Sequence, residues 1–269
     1  MEPYRVALGR AFADRASLEP SALGGLIRLG NAVSGQWNLD LLSLDDNRVR
    51  ERVGVLAAVA ALRDLDGAFG LPQGEDDLGG ILVSLEELFR LLKGSGVPRP
   101  SARLCDDLLY MRVFAQEEGR IQLRCRLIEV KYAQQGRPDL AVARAEVEAT
   151  QAWLRDLYNR QGPAMAFRAR DLSEFIRIAA ARNTSFGLPG PTSTRVEGLA
   201  AAVAEGKFDL DFGFTAGGQR LTGDVISLEL DSPLLAHRQR LPGDGATAMG
   251  YIRLGAPALQ RLAAGEELS

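Results

Sequence analysis

Histidine is almost missing from this chain: His237 is the only one in 269 residues. That excludes His-rich metal sites and argues against a His-based triad. Cysteine is nearly as scarce. Cys105 and Cys125 do not make a disulfide framework, and a reducing cytoplasm fits that usage. No apolar run approaches the ~20 residues of a membrane helix. The opening MEPYRVALGRAFADR has no basic segment followed by an apolar core, so no signal peptide is expected. Gly-Lys occurs once, as Gly206-Lys207 ahead of Phe208, which leaves no phosphate-binding P-loop and no ATPase motor. Positive charge is not in excess either: 32 Lys and Arg stand against 35 Asp and Glu, for a net charge of −3. A protein that grips DNA alone shows a basic balance or a basic stripe. Either the arginines cluster locally, or a partner supplies the grip.

What is present is concentrated between Leu104 and Gln134, LCDDLLYMRVFAQEEGRIQLRCRLIEVKYAQ. Two β-favouring runs flank Glu117-Glu118-Gly119, where a type I turn followed by a left-handed glycine predicts a hairpin. That turn pairs Gln116 with Arg120. It therefore sets Val113 opposite Leu123, Met111 opposite Cys125 and Leu109 opposite Leu127, all on one apolar face. The same register sets Cys105 opposite Lys131 and Asp107 opposite Glu129, with Lys131 two residues on and on the same face as Glu129. Directly opposed residues have Cβ atoms roughly 4.5–5.5 Å apart, and opposed like charges are destabilising. A divalent cation is the expected compensation, because Mg²⁺ takes one or two protein carboxylates together with water and phosphate oxygens. Asp106 is the rival of Asp107; parity sends it to the other face, and a register slip of one residue reverses the choice.

Asp107 ahead of an apolar strand, a turn, and then Glu129-Val130-Lys131 resemble the PD-(D/E)XK nuclease superfamily, with Cys105-Asp106 where the leading proline stands. The order of helices and strands carries the likeness over roughly 45–160. More narrowly, the chain is similar to nuclease domains that work with DNA-translocating ATPases in bacterial defence and modification-dependent restriction. The resemblance implies an α/β, restriction-endonuclease-like core, a mixed central sheet flanked by helices, and a metal-dependent deoxyribonuclease. Asp107, Glu129 and the carbonyl of Val130 would then ligate Mg²⁺ or Mn²⁺, and Lys131 would orient water or stabilise charge on the phosphate. A helix before the core sheet often adds a carboxylate in such nucleases, and Glu51 has that position; its alternative role is to complement the helix dipole. DNA and an ATPase partner are the implied associates, and self-association stays open. The rival is a nuclease-like module that binds partners and cuts nothing.

Around the hairpin, the spacing predicts helices over 21–36, 47–65, 139–160, 171–182, 195–205 and 256–264. The helix over 47–65 is apolar nearly all round, as a buried helix is. Ser84-Leu85-Glu86-Glu87 reads as a capping box, with Glu86 solvated. Arg168, Arg170, Arg177 and Arg182 form the most basic local segment and are candidate phosphate contacts. Texture changes at 187, so the expected division is a nuclease core with N-terminal helices over 1–186 and a C-terminal α+β accessory or partner-binding region over 187–269. Within it, alternation predicts a strand from Phe208 to Phe214 with Asp209 and Asp211 facing outward, and a second strand over 220–230.

Overall fold

The hairpin forms in the expected register. Strands β2 (Leu108–Ala115) and β3 (Ile121–Ala133) run antiparallel, with Leu109 opposite Leu127, Met111 opposite Cys125 and Val113 opposite Leu123. The turn differs in detail. Glu118 (φ 57°) as well as Gly119 (φ 69°) occupies the left-handed region, so the three-residue loop is not a type I turn closed by a single left-handed glycine. The Gln116 amide donates to the Arg120 carbonyl at 2.9 Å, the pairing the turn requires.

The computed structural model describes residues 3, 4, 6, 20–34, 36–37, 46–65, 74–105, 107–133, 138–159, 163–188, 190–212, 214–216, 219–229, 231–242, 247–264 and 266–268. Asp106 lies outside them. The hairpin sits inside one mixed sheet. Strand β1 (Asp77–Ser84) is antiparallel to β2, and β3 is hydrogen-bonded on its other edge to two strands in succession. β4 (Phe208–Phe212) runs parallel to its first half and β6 (Gln219–Glu229) parallel to its second. A short β5 (Phe214–Ala216) pairs with β6, β8 (Thr247–Gly255) lies parallel to β6, and β7 (Ala236–Pro242) closes the edge.

This arrangement corrects the expected division at 187. The C-terminal strands are not a separate accessory sheet; they complete the one that the hairpin begins. β3 is buried on both faces from Cys125 to Glu129, so it cannot serve as an edge there, and the backbone donors buried along it need partners. Strands from beyond 187 supply them. Strand β7 was not anticipated, because its sequence AHRQRLP is mostly exposed and polar.

Helices cover both faces, as the α/β reading requires. On one side α3 (Leu85–Gly94), α4 (Leu140–Asn159), α5 (Pro163–Ser185) and α6 (Ser193–Ala204) pack on Leu109, Met111, Leu123 and Leu127. On the other, α1 (Pro20–Val33), α2 (Asp46–Leu65) and α7 (Ala256–Ala264) pack on Leu108, Ile128, Ile226 and Ile252. Helix α2 is buried continuously from Val53 to Leu62, as its apolar circumference predicts, because α1 and α7 flank it. The capping box at Ser84 does not form. Ser84 makes no side-chain cap bond, and Glu87 instead accepts hydrogen bonds from Ser34 Oγ (2.7 Å) and Arg182 Nη2 (2.7 Å), which ties α3 to the segment after α1 and to α5. Among the described residues no helix is long and apolar enough to cross a membrane.

A fully buried ion pair, Arg126 with Asp224, joins β3 to β6. Asp224 fills the space beside Gly250: a Cβ there would lie 2.0 Å from its Oδ1. Removing one partner strands the other charge in a low dielectric. Asp224→Ala should therefore destabilise the fold by about 3–5 kcal/mol, read as a lowered urea midpoint. A change within experimental error would show that the pair is not desolvated.

Candidate functional site

Glu51, Asp107 and the run Glu129-Val130-Lys131, from three separate parts of the chain, line a single cleft of about 950 Å³. It opens where the end of β1, the start of β2 and the end of β3 meet helices α2, α3 and α4. Local rules place the first members. β3 alternates, so Glu129 and Lys131 continue the face of Cys125 and Leu127. The β2–β3 ladder ends at the pair Leu108–Ile128, which brings Asp107 to the level of Glu129. The backbone carbonyl of Asp107 accepts the Leu85 amide at 3.0 Å and so ties the site to the start of α3.

The two carboxylates do not confront each other bare. Asp107 Oδ2 accepts the Val130 backbone N–H at 2.7 Å. Glu129 Oε1 accepts Lys131 Nζ at 2.5 Å. Much of the like-charge cost that suggested a cation is thus met by the chain's own amide and ammonium. Cys105 is not opposite Lys131, since the strand begins only at Leu108. Its thiol donates to the Ile128 carbonyl at 3.6 Å and lies beside Glu129 and Asp107. Burial, followed by those two carboxylates, pushes its pKa far up, so it remains a thiol. Both cysteines are free.

A residue not anticipated completes the cluster. Lys131 Nζ also donates to Glu146 Oε2 at 2.7 Å, and Arg103 forms an ion pair with the other oxygen of Glu146. Glu146 stands on the core stripe of α4 between Ala143 and Val147, where a charge is out of pattern; that was the available signal. Helix α4 can approach this closely because Gly223 carries no side chain: a Cβ there would lie 2.8 Å from Val147 and 2.9 Å from the Leu127 carbonyl. Glu129 is 3% exposed, and its Oε2 accepts no hydrogen bond among the described residues. Burial above all, with Glu146 adding to it and Lys131 opposing it, pushes its pKa up to about 7.

Arginine clusters locally, though not where expected. Arg168 donates to the Leu157 carbonyl, Arg177 is paired with Glu174, Arg182 holds Glu87, and Arg170 is exposed on α5. None of the four lines the cleft. Its arginines are Arg52, Arg90, Arg99 and Arg103. Arg52 pairs with Glu86 and lies 5.2 Å over the Trp37 ring, and Arg90 bonds Gln36 and Glu86, so Glu86 is paired and not merely solvated. These arginines come from two helices and the segment before β2, so no local window of sequence reveals them as a group. Among the described residues the aspartates of the second half do not assemble a metal cluster: the exposed Asp209 pairs with Arg120, and the buried Asp224 with Arg126.

Among the described residues no group of three or more His, Cys, Asp or Glu is gathered as a metal centre. The donor set still suits a hard divalent ion of the Mg²⁺ type, which needs only one or two carboxylates. Glu129 Oε2 is a buried oxygen without a hydrogen-bond partner among the described residues, and Asp107 and the exposed Glu51 share its cleft. No protein-family model, curated protein or solved structure matches the chain.

The raised Glu129 pKa fixes a direction for stability. Between the ordinary glutamate value of about 4.3 and about 7, the folded protein holds a proton that the unfolded chain releases. Unfolding free energy should therefore decline as pH rises from about 5 to about 8 without divalent ions. Glu129→Gln should flatten the decline. Urea midpoints across that range decide it, and an unaltered slope in the variant would assign the titration elsewhere.

Proposed function

We propose that this chain is a metal-dependent nuclease that hydrolyses DNA phosphodiester bonds through a restriction-endonuclease-like core. The observation that carries the reading is the buried, half-satisfied Glu129 beside Lys131, in one cleft with Asp107 and an arginine rim. Glu129 and Asp107 would hold Mg²⁺ or Mn²⁺, with the Val130 carbonyl and Glu51 as further oxygens. A bound divalent ion of this kind polarises the phosphate and lowers the pKa of a water. Lys131 is placed to orient that water or to stabilise charge on the phosphate. Glu146 holds the ammonium from the far side, and Arg103 tempers the charge of Glu146. Arg52, Arg90 and Arg99 give the cleft wall a basic character that the net charge of −3 conceals. That charge is modest for unaided DNA binding, and the absence of a P-loop motif in the sequence fits a role beside an ATPase partner in a bacterial defence or restriction assembly.

Cleavage of supercoiled plasmid and of a labelled duplex with Mg²⁺ or Mn²⁺, with and without an ATP-hydrolysing translocase, tests the reading. Lys131→Ala should lower the rate by about 100-fold or more. Cutting by the variant at the wild-type rate would remove Lys131 from the chemistry.

One observation favours the non-catalytic alternative: Lys131 is already engaged by both Glu129 and Glu146, ion pairs made without metal. Thermal unfolding separates the two. For a metal site, Mn²⁺ should raise Tm, more at pH 8 than at pH 6 because it displaces the Glu129 proton, and Glu129→Ala should abolish the gain. An equal Tm with and without Mn²⁺ at both pH values would favour the module.

A further inference from the structure

Beside the cleft lies a second cavity of about 460 Å³, walled by Phe89 and Trp153 with Val97 and Pro98, and sharing Glu86, Arg90 and Arg99 with the cleft itself. Helix α3 brings Phe89, and α4 brings Trp153; their rings meet edge to face, centroids 5.3 Å apart. The Arg99 guanidinium lies over the outer face of Phe89, 5.1 Å from its centroid. Phe89 is buried in the core, whereas Trp153 is only partly covered. The cavity thus has an aromatic, apolar interior and a cationic mouth that opens on the wall where the nuclease reading places the phosphates.

We infer that this cavity receives an unpaired nucleobase of the strand bound in the cleft, so that the substrate presents a single-stranded or unstacked nucleotide next to the bond being cut. The inference rests on the nuclease reading and specifies its substrate. A flat ring joined to a phosphate chain is the ligand that satisfies both halves of the site: the ring packs on Trp153 and Arg99, and the chain follows the arginines. Aromatic side chains and arginine planes are the usual platforms for unpaired bases. A base inside a duplex is covered on both faces by its neighbours and must leave the stack to reach such a surface. Glu86 at the mouth supplies a carboxylate acceptor for ring N–H groups.

Tryptophan fluorescence reads this directly, since the chain has two tryptophans and Trp37 is only 1% exposed. Full-length protein is titrated in EDTA, where metal-dependent cleavage does not occur. The probes are a short oligothymidylate, an abasic strand of equal length and a blunt duplex. Oligothymidylate should quench emission and bind about tenfold more tightly than the abasic strand, in line with one stacked base; the duplex should not quench. Trp153→Phe should lose the quenching, with Trp37 still emitting. Arg99→Gln, which leaves the aromatic packing in place, should reduce the preference over the abasic strand. Equal affinity for the oligothymidylate and abasic strands, or quenching that survives in Trp153→Phe, overturns the inference. If plasmid is cut with Mn²⁺ under either of those outcomes, the nuclease reading stands and only the base pocket falls. Failure of every strand to bind, together with no metal-dependent cutting, removes both.

Discussion

Strand β3 is hydrogen-bonded along both edges, to β2 on one side and to β4 and then β6 on the other, and everything at the cleft hangs from that constraint. A slip of one residue would exchange its two faces, moving Glu129 and Lys131 to the side of α2 and Ile128 into the cleft. Three neighbours with independent registers oppose such a slip at once. The buried Arg126–Asp224 pair acts in the same sense, because a displaced register would strand two charges. The orientation of two catalytic candidates is thus guaranteed by backbone pairing and does not depend on the charges themselves.

The charges are then free to be unfavourable. Two glutamates share one ammonium, with an exposed arginine on the outer flank, and among the described residues one carboxylate oxygen of Glu129 is left without a partner. A structural salt bridge in so dry a place would be better made with every lone pair satisfied. An unmet, desolvated oxygen at the wall of an open cleft is the kind of local imbalance that functional sites carry. On the nuclease reading, the proton on Glu129, the ammonium of Lys131 and a divalent ion would compete for the same few ångströms.

The distribution of basic residues would reconcile an acidic chain with the polyanionic ligand proposed for it. Arginines at the cleft are held by acids and aromatic rings, Arg52 by Glu86 and Trp37 and Arg99 by Phe89, so they are positioned without giving the surface a broad basic field. Such a wall orients a phosphate chain more than it attracts one from a distance. Long-range capture is the task that a DNA-gripping partner would perform.

Much of the site was legible in the sequence because it depends on short-range rules. Strand alternation and hairpin pairing are local, and they put Asp107, Glu129 and Lys131 together before any tertiary contact is known. Glu51 was placed by the resemblance, and the fold brings it to the same cleft. The arginines of α5 do not join the cleft, because clustering in sequence is not clustering in space: along a helix they turn to different neighbours, and Glu174, Glu87 and a backbone carbonyl engage three of them. Sequence by itself determined the α/β class, the hairpin register and the acidic pair with its lysine. Only the tertiary structure decided what completes the second edge of β3, which helix brings Glu146 to Lys131, and which arginines and aromatics face the cleft. Those contacts join residues as far apart as Leu127 and Gly223, and no periodicity in the chain encodes a meeting made by packing one layer on another.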